Sequence, residues 1–155
     1  MTPHRPSFIR RAAALAAAAA LALSALCPQG AWAFVDDAYS AALEAAQEKV
    51  EKEGFKLRED YWRGVADTGK RVMVKHQLFK GNEYWFWLGT NVPDAELAIK
   101  IYDENGKAVE IETVPGRDAV AARILPPKTG TYYIAFVLKS KTEKKIDWAL
   151  AYGYR

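Results

Sequence analysis

The chain has 155 residues, with 22 Lys plus Arg against 19 Asp plus Glu, and half of its residues are hydrophobic. Such a length suits a single domain, and the small basic excess is confined to Arg5, Arg10 and Arg11 near the N-terminus, so the remainder is balanced. That balance excludes the clustered positive surplus a nucleic-acid binder needs, and the lone Cys27 excludes a disulfide framework.

Residues 1–33 read as a secretory signal: the basic start is followed by an apolar stretch from Ala12 to Leu26 and ends in Ala31-Trp32-Ala33, with cleavage expected before Phe34. The stretch is about 15 residues where a membrane span needs about 20, and Pro28 and Gly30 close it, so no membrane span is expected after cleavage. Ala-Ala-Ala-Leu follows Arg10-Arg11 where a twin-arginine signal has a bulky apolar pair, which favours general secretion. Leu26 precedes Cys27 where a lipoprotein signal has a small residue. The expected location is periplasmic or secreted, and with Cys27 removed the exported protein depends on its core rather than on cross-links.

Asp36 to Glu53 is the one clear helix. Asp36 and Asp37 suit its N-terminal end, Gly54 its C-terminal end, and Tyr39, Ala42, Leu43, Ala46 and Val50 form a stripe at helical spacing. The small residues in that stripe allow close approach to a sheet. Residues 34–54 are therefore expected to lie on a β-domain formed by residues 55–155.

From Phe55 the period changes to two. Strands are expected over Phe55–Trp62, Arg71–Phe79, Tyr84–Leu88, Glu96–Tyr102, Lys107–Val114, Ala119–Leu125, Thr131–Leu138 and Lys145–Tyr154. Gly64–Lys70 reads as a loop, Asn105-Gly106 as a tight hairpin turn, and Pro115–Asp118 as a further turn. In Tyr84-Trp85-Phe86-Trp87-Leu88 both faces are apolar, with Tyr84, Phe86 and Leu88 on one and Trp85 and Trp87 on the other. About eight antiparallel strands predict a mainly β fold, a jelly-roll-like two-sheet sandwich with the N-terminal amphipathic helix packed on it.

Three segments, KGNEYWFWL, DAELAIKIYDENGKAV and LPPKTGTYYIAFV, stand in the order of a glycine turn into an aromatic strand, an acidic strand with a D-x-x-G turn, and a Thr-Gly, Thr-Tyr-Tyr strand. Over Arg71 to Tyr154 this resembles the bacterial pre-peptidase C-terminal domain, a small secreted β-sandwich. The family usually appends this domain to a catalytic unit, whereas here it would be nearly the whole mature chain. The resemblance implies an accessory or binding role and names no target.

The chemistry available is narrow. After the signal there is no cysteine, only Ser40 and Ser140 as serines, and only His76 as an imidazole, so no activated nucleophile is expected. One imidazole also cannot hold a transition metal. Calcium takes oxygen ligands, and Asp94, Glu96 and Asp103, with Asn105, are the candidates for it, although the bland reading gives Asp94 and Asp103 turn-shaping roles. No other cofactor is expected.

Trp62, Trp85, Trp87 and Trp148 are the candidate ligand-binding residues, since exposed aromatics bind sugar rings and partner proteins whereas buried ones build the core; for Trp85 and Trp87 the favoured expectation is burial, with the alanine-striped helix Asp36 to Glu53 covering their face. The expectation is an exported non-catalytic module that binds an envelope or extracellular protein or a polysaccharide. A small carboxylate-dependent hydrolase and a calcium-stabilised accessory domain are the alternatives.

Overall fold

The computed structural model describes residues 36–155, so the expected signal segment 1–33 lies outside the described residues. Among the described residues one helix, α1 (Asp37–Glu53), precedes nine strands: β1 (Lys56–Leu57), β2 (Trp62–Asp67), β3 (Arg71–Leu78), β4 (Tyr84–Thr90), β5 (Glu96–Tyr102), β6 (Glu112–Gly116), β7 (Ala119–Ile124), β8 (Gly130–Lys139) and β9 (Lys145–Tyr154). All pairings are antiparallel. The larger sheet runs β1-β9-β4-β7-β6, with β2 following β1 along the same edge of β9; the smaller runs β3-β8-β5. The two sheets make a sandwich, and the helix covers the outer side of the larger one.

The helix ends where its caps dictate. The Asp36 carboxylate accepts the Tyr39 amide at 3.1 Å, and Gly54 takes a left-handed φ of 75° that returns its N–H to the Lys49 carbonyl. The buried face is Ala38, Ala42 and Ala46. These small side chains let the helix axis settle onto Trp85, Trp87, Ala121 and Ala151, with Phe55 closing one end.

The second core lies between the sheets. Tyr84, Phe86 and Leu88 of β4, Ile146, Trp148, Leu150 and Tyr152 of β9, and Val120, Ala122 and Ile124 of β7 face Leu78, Ile99, Ile101, Tyr132, Ile134, Phe136 and Leu138 from the smaller sheet. Strand β4 is central in the larger sheet and buried on both faces along its whole length. Its unbroken apolar run is what such a position demands.

Three boundaries differ from the sequence expectation. Phe55–Trp62 is not one strand: β1 stops at Leu57, and β2 begins only at Trp62 and runs through Gly64. Gly64 is a close-approach residue rather than a loop residue, because a Cβ there would stand 3.0 Å from the Trp148 ring. The expected return strand Lys107–Val114 is also divided. After the Asp103–Gly106 turn the Tyr102–Ala108 bridge persists, with the Asp103 amide donating to the Lys107 carbonyl and the Val109 amide to the Ile101 carbonyl, and the chain then crosses to form β6 in the other sheet. Finally, Pro115 and Gly116 belong to β6, an edge strand where a missing N–H costs nothing, and the turn falls on Arg117 and Asp118.

Polar contacts close the ends. Glu83 accepts from both Arg123 and Arg155, and Arg155 Nη1 also donates to the Glu53 carbonyl at 3.1 Å while its guanidinium lies 4.6 Å from the Phe55 ring centre. This cluster fastens the C-terminal end of α1 to the entry of β4 and the exit of β9. Burial opposes the charge on Glu83, but the hydrogen bonds from Arg123 and Arg155 outweigh it and hold the carboxyl below its ordinary range.

Candidate functional site

The two sheets differ in what covers them. Helix α1 closes the outer side of the larger sheet, whereas among the described residues no element covers the outer side of the smaller one. Its side chains follow from strand alternation and register. Central β8 presents Thr131, Tyr133, Ala135, Val137 and Lys139; β3 adds Gln77, Lys75, Met73 and Arg71 beside it, and β5 adds Tyr102, Lys100, Ala98 and Glu96. Met73 is 51% exposed, and Tyr102 and Tyr133 are half-buried neighbours paired in register.

Two adjoining depressions lie on this face. One, of about 380 Å³, is bounded by Arg71, Lys100, Tyr102, Ala135, Val137 and Lys139 among others. The second, of about 360 Å³, lies between Arg71, Met73, Tyr102, Glu104, Gly106 and Tyr133. Arg71 and Tyr102 belong to both, so the depressions form one shallow, aromatic-floored surface bordered by Arg71, Lys100 and Lys139 together with Glu96 and Glu104.

The four candidate tryptophans do not share such a surface. Trp85 and Trp87 stack with ring centres 6.5 Å apart, and at 2% and 0% exposure they lie sealed beneath α1. Lys49 extends over the Trp85 ring, 4.8 Å from its centre. Trp148 is in the inter-sheet core against Phe136, with centres 4.8 Å apart. Trp62 alone is half-buried, at the edge where the two sheets meet. Trp85 and Trp87 are thus buried beneath the helix, as the alanine stripe led us to expect, and the ligand-binding alternative for them and for Trp148 is corrected: the helix and the facing sheet take these three rings into the two cores, where their area stabilises the fold most.

The acidic candidates are likewise separated. Glu96 opens β5 opposite Lys139, and Asp103 follows the other end of that strand, about 20 Å away at strand rise. Asp94 occupies the β4–β5 turn with a φ of 59°. Asp103 Oδ1 accepts the amides of Asn105 and Lys107, both at 2.9 Å, which is the turn-shaping role. Among the described residues no three His, Cys, Asp or Glu side chains are grouped to hold a metal ion.

One titratable cluster lies at the sheet edge. His76 of β3 is wedged between the rings of Trp62 and Tyr152, at 5.2 and 4.4 Å between centres, with Phe86 at 6.4 Å. The Tyr152 hydroxyl donates to Asp60 at 2.9 Å, and Arg58 lies 3.5 Å from the same carboxylate. Burial pushes the His76 imidazole below its ordinary value, against the pull of Asp60. Burial, then the bond to Asp60, pushes Tyr152 upward. Desolvation opposes the Asp60 charge, but the Tyr152 hydrogen bond and Arg58 outweigh it. Among the described residues the His76 ring makes contacts with aromatic faces and no hydrogen bond, an arrangement that packs the sandwich edge.

Sequence reasoning missed the residues of the open face. Its signal was present in β8, whose apolar character on both sides implies a second apolar face besides the core.

The fold defines the class as an antiparallel two-sheet β-sandwich with one covering helix. No protein-family model matches this chain, and no curated protein matches it in sequence. The likeness to the pre-peptidase C-terminal domain accordingly rests on its three quoted segments. Among the described residues no helix is long and apolar enough to cross a membrane.

Proposed function

We propose that this chain is an exported, non-catalytic binding module whose contact surface is the outer face of β3, β8 and β5, and whose ligand is an envelope protein or a polysaccharide. The observation that carries the reading is the asymmetry of cover: an aromatic and apolar strip lies open on the three-stranded sheet while the equivalent face of the other sheet is closed by α1. Exposed apolar strips bordered by polar groups mark interaction sites. The expected export signal and the resemblance to an accessory domain point in the same direction.

The paired variant Tyr102→Ala/Tyr133→Ala tests it. Purified protein lacking residues 1–33 is titrated with envelope extract fractions and a polysaccharide panel while melting temperature and tryptophan emission are followed. Ligands that raise the melting temperature of the unmodified chain but not of the variant support the reading. Equal shifts for both proteins would place binding elsewhere.

A further inference from the structure

Resting on that surface, we infer that its ligand is an acidic polysaccharide, a chain of sugar rings carrying carboxylates. The face has a regular arrangement of charge. Across the sheet, successive register rows read Lys75–Tyr133–Tyr102, then Met73–Ala135–Lys100, then Arg71–Val137–Ala98, then Lys139–Glu96. Each of these four rows contributes one cation, the remaining Gln77–Thr131 row none, and rows follow one another at about 7 Å along β8, two residues of strand rise.

The charge is unbalanced in a chain that is close to neutral outside its N-terminal segment. Among the described residues Arg71, Lys75, Lys100 and Lys139 form no ion pair, while Glu104, which borders the second depression, is engaged by Lys128 at 2.8 Å. Glu96, at the far end, is the one carboxylate within the rows. Four cations spaced along an open strip complement a linear polyanion, because each can approach a separate ligand charge without desolvating another cation.

The floor between them favours sugar over peptide. Tyr102 and Tyr133 supply flat ring faces, and Met73, Ala135 and Val137 supply low apolar relief, which suits stacking of pyranose rings. An acidic protein segment would need a deeper anchoring pocket, and interface cores between proteins are depleted in lysine, the residue that supplies three of the four cations here.

The test uses polygalacturonate as the acidic glycan, dextran as a neutral one, polyglutamate as a carboxylated peptide and oligothymidylate as a nucleic acid, each titrated into protein lacking residues 1–33. Saturable binding of polygalacturonate is expected, weakening with added salt, and stronger than that of any other probe. Lys100→Glu should weaken it about tenfold at low salt, as expected for charge reversal beside a bound charge. Tyr133→Ala should weaken it roughly fivefold, as loss of one ring stack. Melting temperatures of both variants verify that they fold, and Arg71→Glu repeats the charge reversal on the opposite strand.

Absence of polygalacturonate binding overturns the acidic-glycan inference. So does equal binding of polyglutamate or oligothymidylate that Tyr133→Ala leaves unchanged, since charge alone would then suffice. Dextran binding that is lost in Tyr133→Ala but kept in Lys100→Glu would retain the surface and refute the acidic ligand. Polygalacturonate binding that none of the three variants weakens would refute both readings of this face.

Discussion

Gly89 of β4 lies directly beneath Ala38 of α1, so close that a Cβ on Gly89 would overlap the Ala38 carbonyl oxygen and stand 2.6 Å from the Ala42 amide nitrogen. Both obstacles are backbone, which cannot rotate away as a side chain does. The docking of the helix, and with it the burial of Trp85 and Trp87, therefore depends on the absence of one methyl group.

Gly89→Ala is accordingly expected to destabilise the protein by about 3 kcal/mol, at the upper end of overpacking costs, and to lower the melting temperature by roughly 10 °C. Tryptophan emission should move to longer wavelength as water reaches Trp85 and Trp87. Gly116→Ala is the control: its Cβ would meet its nearest neighbour across the turn, the Ala119 carbonyl oxygen, at an ordinary 3.6 Å, so little change is expected. Equal melting temperatures for the two variants would contradict this account of helix docking.

Glu83→Gln removes the charge that Arg123 and Arg155 share. The Glu83 side chain is only 13% exposed, but its partners are at 34% and 45%, so solvent screening limits the loss to about 2 kcal/mol. The folded-state pKa of Glu83 is held below its ordinary 4.5. Its contribution is thus complete above pH 4.5 and disappears as pH falls through the folded-state value. Denaturant unfolding at pH 7 and pH 3 should show a smaller difference between Glu83→Gln and the unmodified chain at the second pH than at the first.

His76 acts in a different window with the same sign. Burial lowers its folded-state pKa below 6.5, Asp60 opposes that shift and Arg58 adds to it, so the unfolded chain takes up a proton first on acidification. Stability from the neutral ring is complete above pH 6.5 and declines as pH falls through the folded-state value. Melting temperature should fall between pH 7 and pH 5, and His76→Phe, which keeps an aromatic ring against Trp62 and Tyr152, should flatten that part of the profile. A slope unchanged in His76→Phe would assign the pH response to other groups.

Calcium is expected to leave the fold unaffected. Glu96 and Asp103 are held apart by the full length of β5, and Asp103 is already occupied by the Asn105 and Lys107 amides. Melting curves recorded with millimolar calcium and with chelator should coincide, and a higher melting temperature in calcium would disprove this.

Local signals explain how much could be read without coordinates. Asp36 and Gly54 bound the helix because a cap carboxylate and a left-handed glycine act within one turn. Glu96–Tyr102 and Lys145–Tyr154 match their expected limits because alternation lies in the strand itself, and Asp103–Gly106 forms the expected turn because its hydrogen bonds span four residues. For the candidate site, the period of two already places Ala98, Lys100 and Tyr102 on one face of β5. Nothing in that period brings Tyr133 beside Tyr102.

Pairing and cover are decided by the tertiary structure. Gly64 resembles a loop residue until Trp148 stands over it, and residues 107–111 resemble a return strand until β7 draws β6 into the other sheet. Likewise, the two apolar faces of Tyr84–Leu88 and of Thr131–Leu138 look alike in sequence, yet one second face is closed by α1 and the other is left open. The sequence by itself determined where each face points and which residues share it. Cover of the Trp85 and Trp87 face by the alanine-striped helix was already legible, but only the assembled sheets decided that the outer face of β8 stays open and which strands border it, because that depends on contacts between residues far apart in the chain, and these carry no local periodicity.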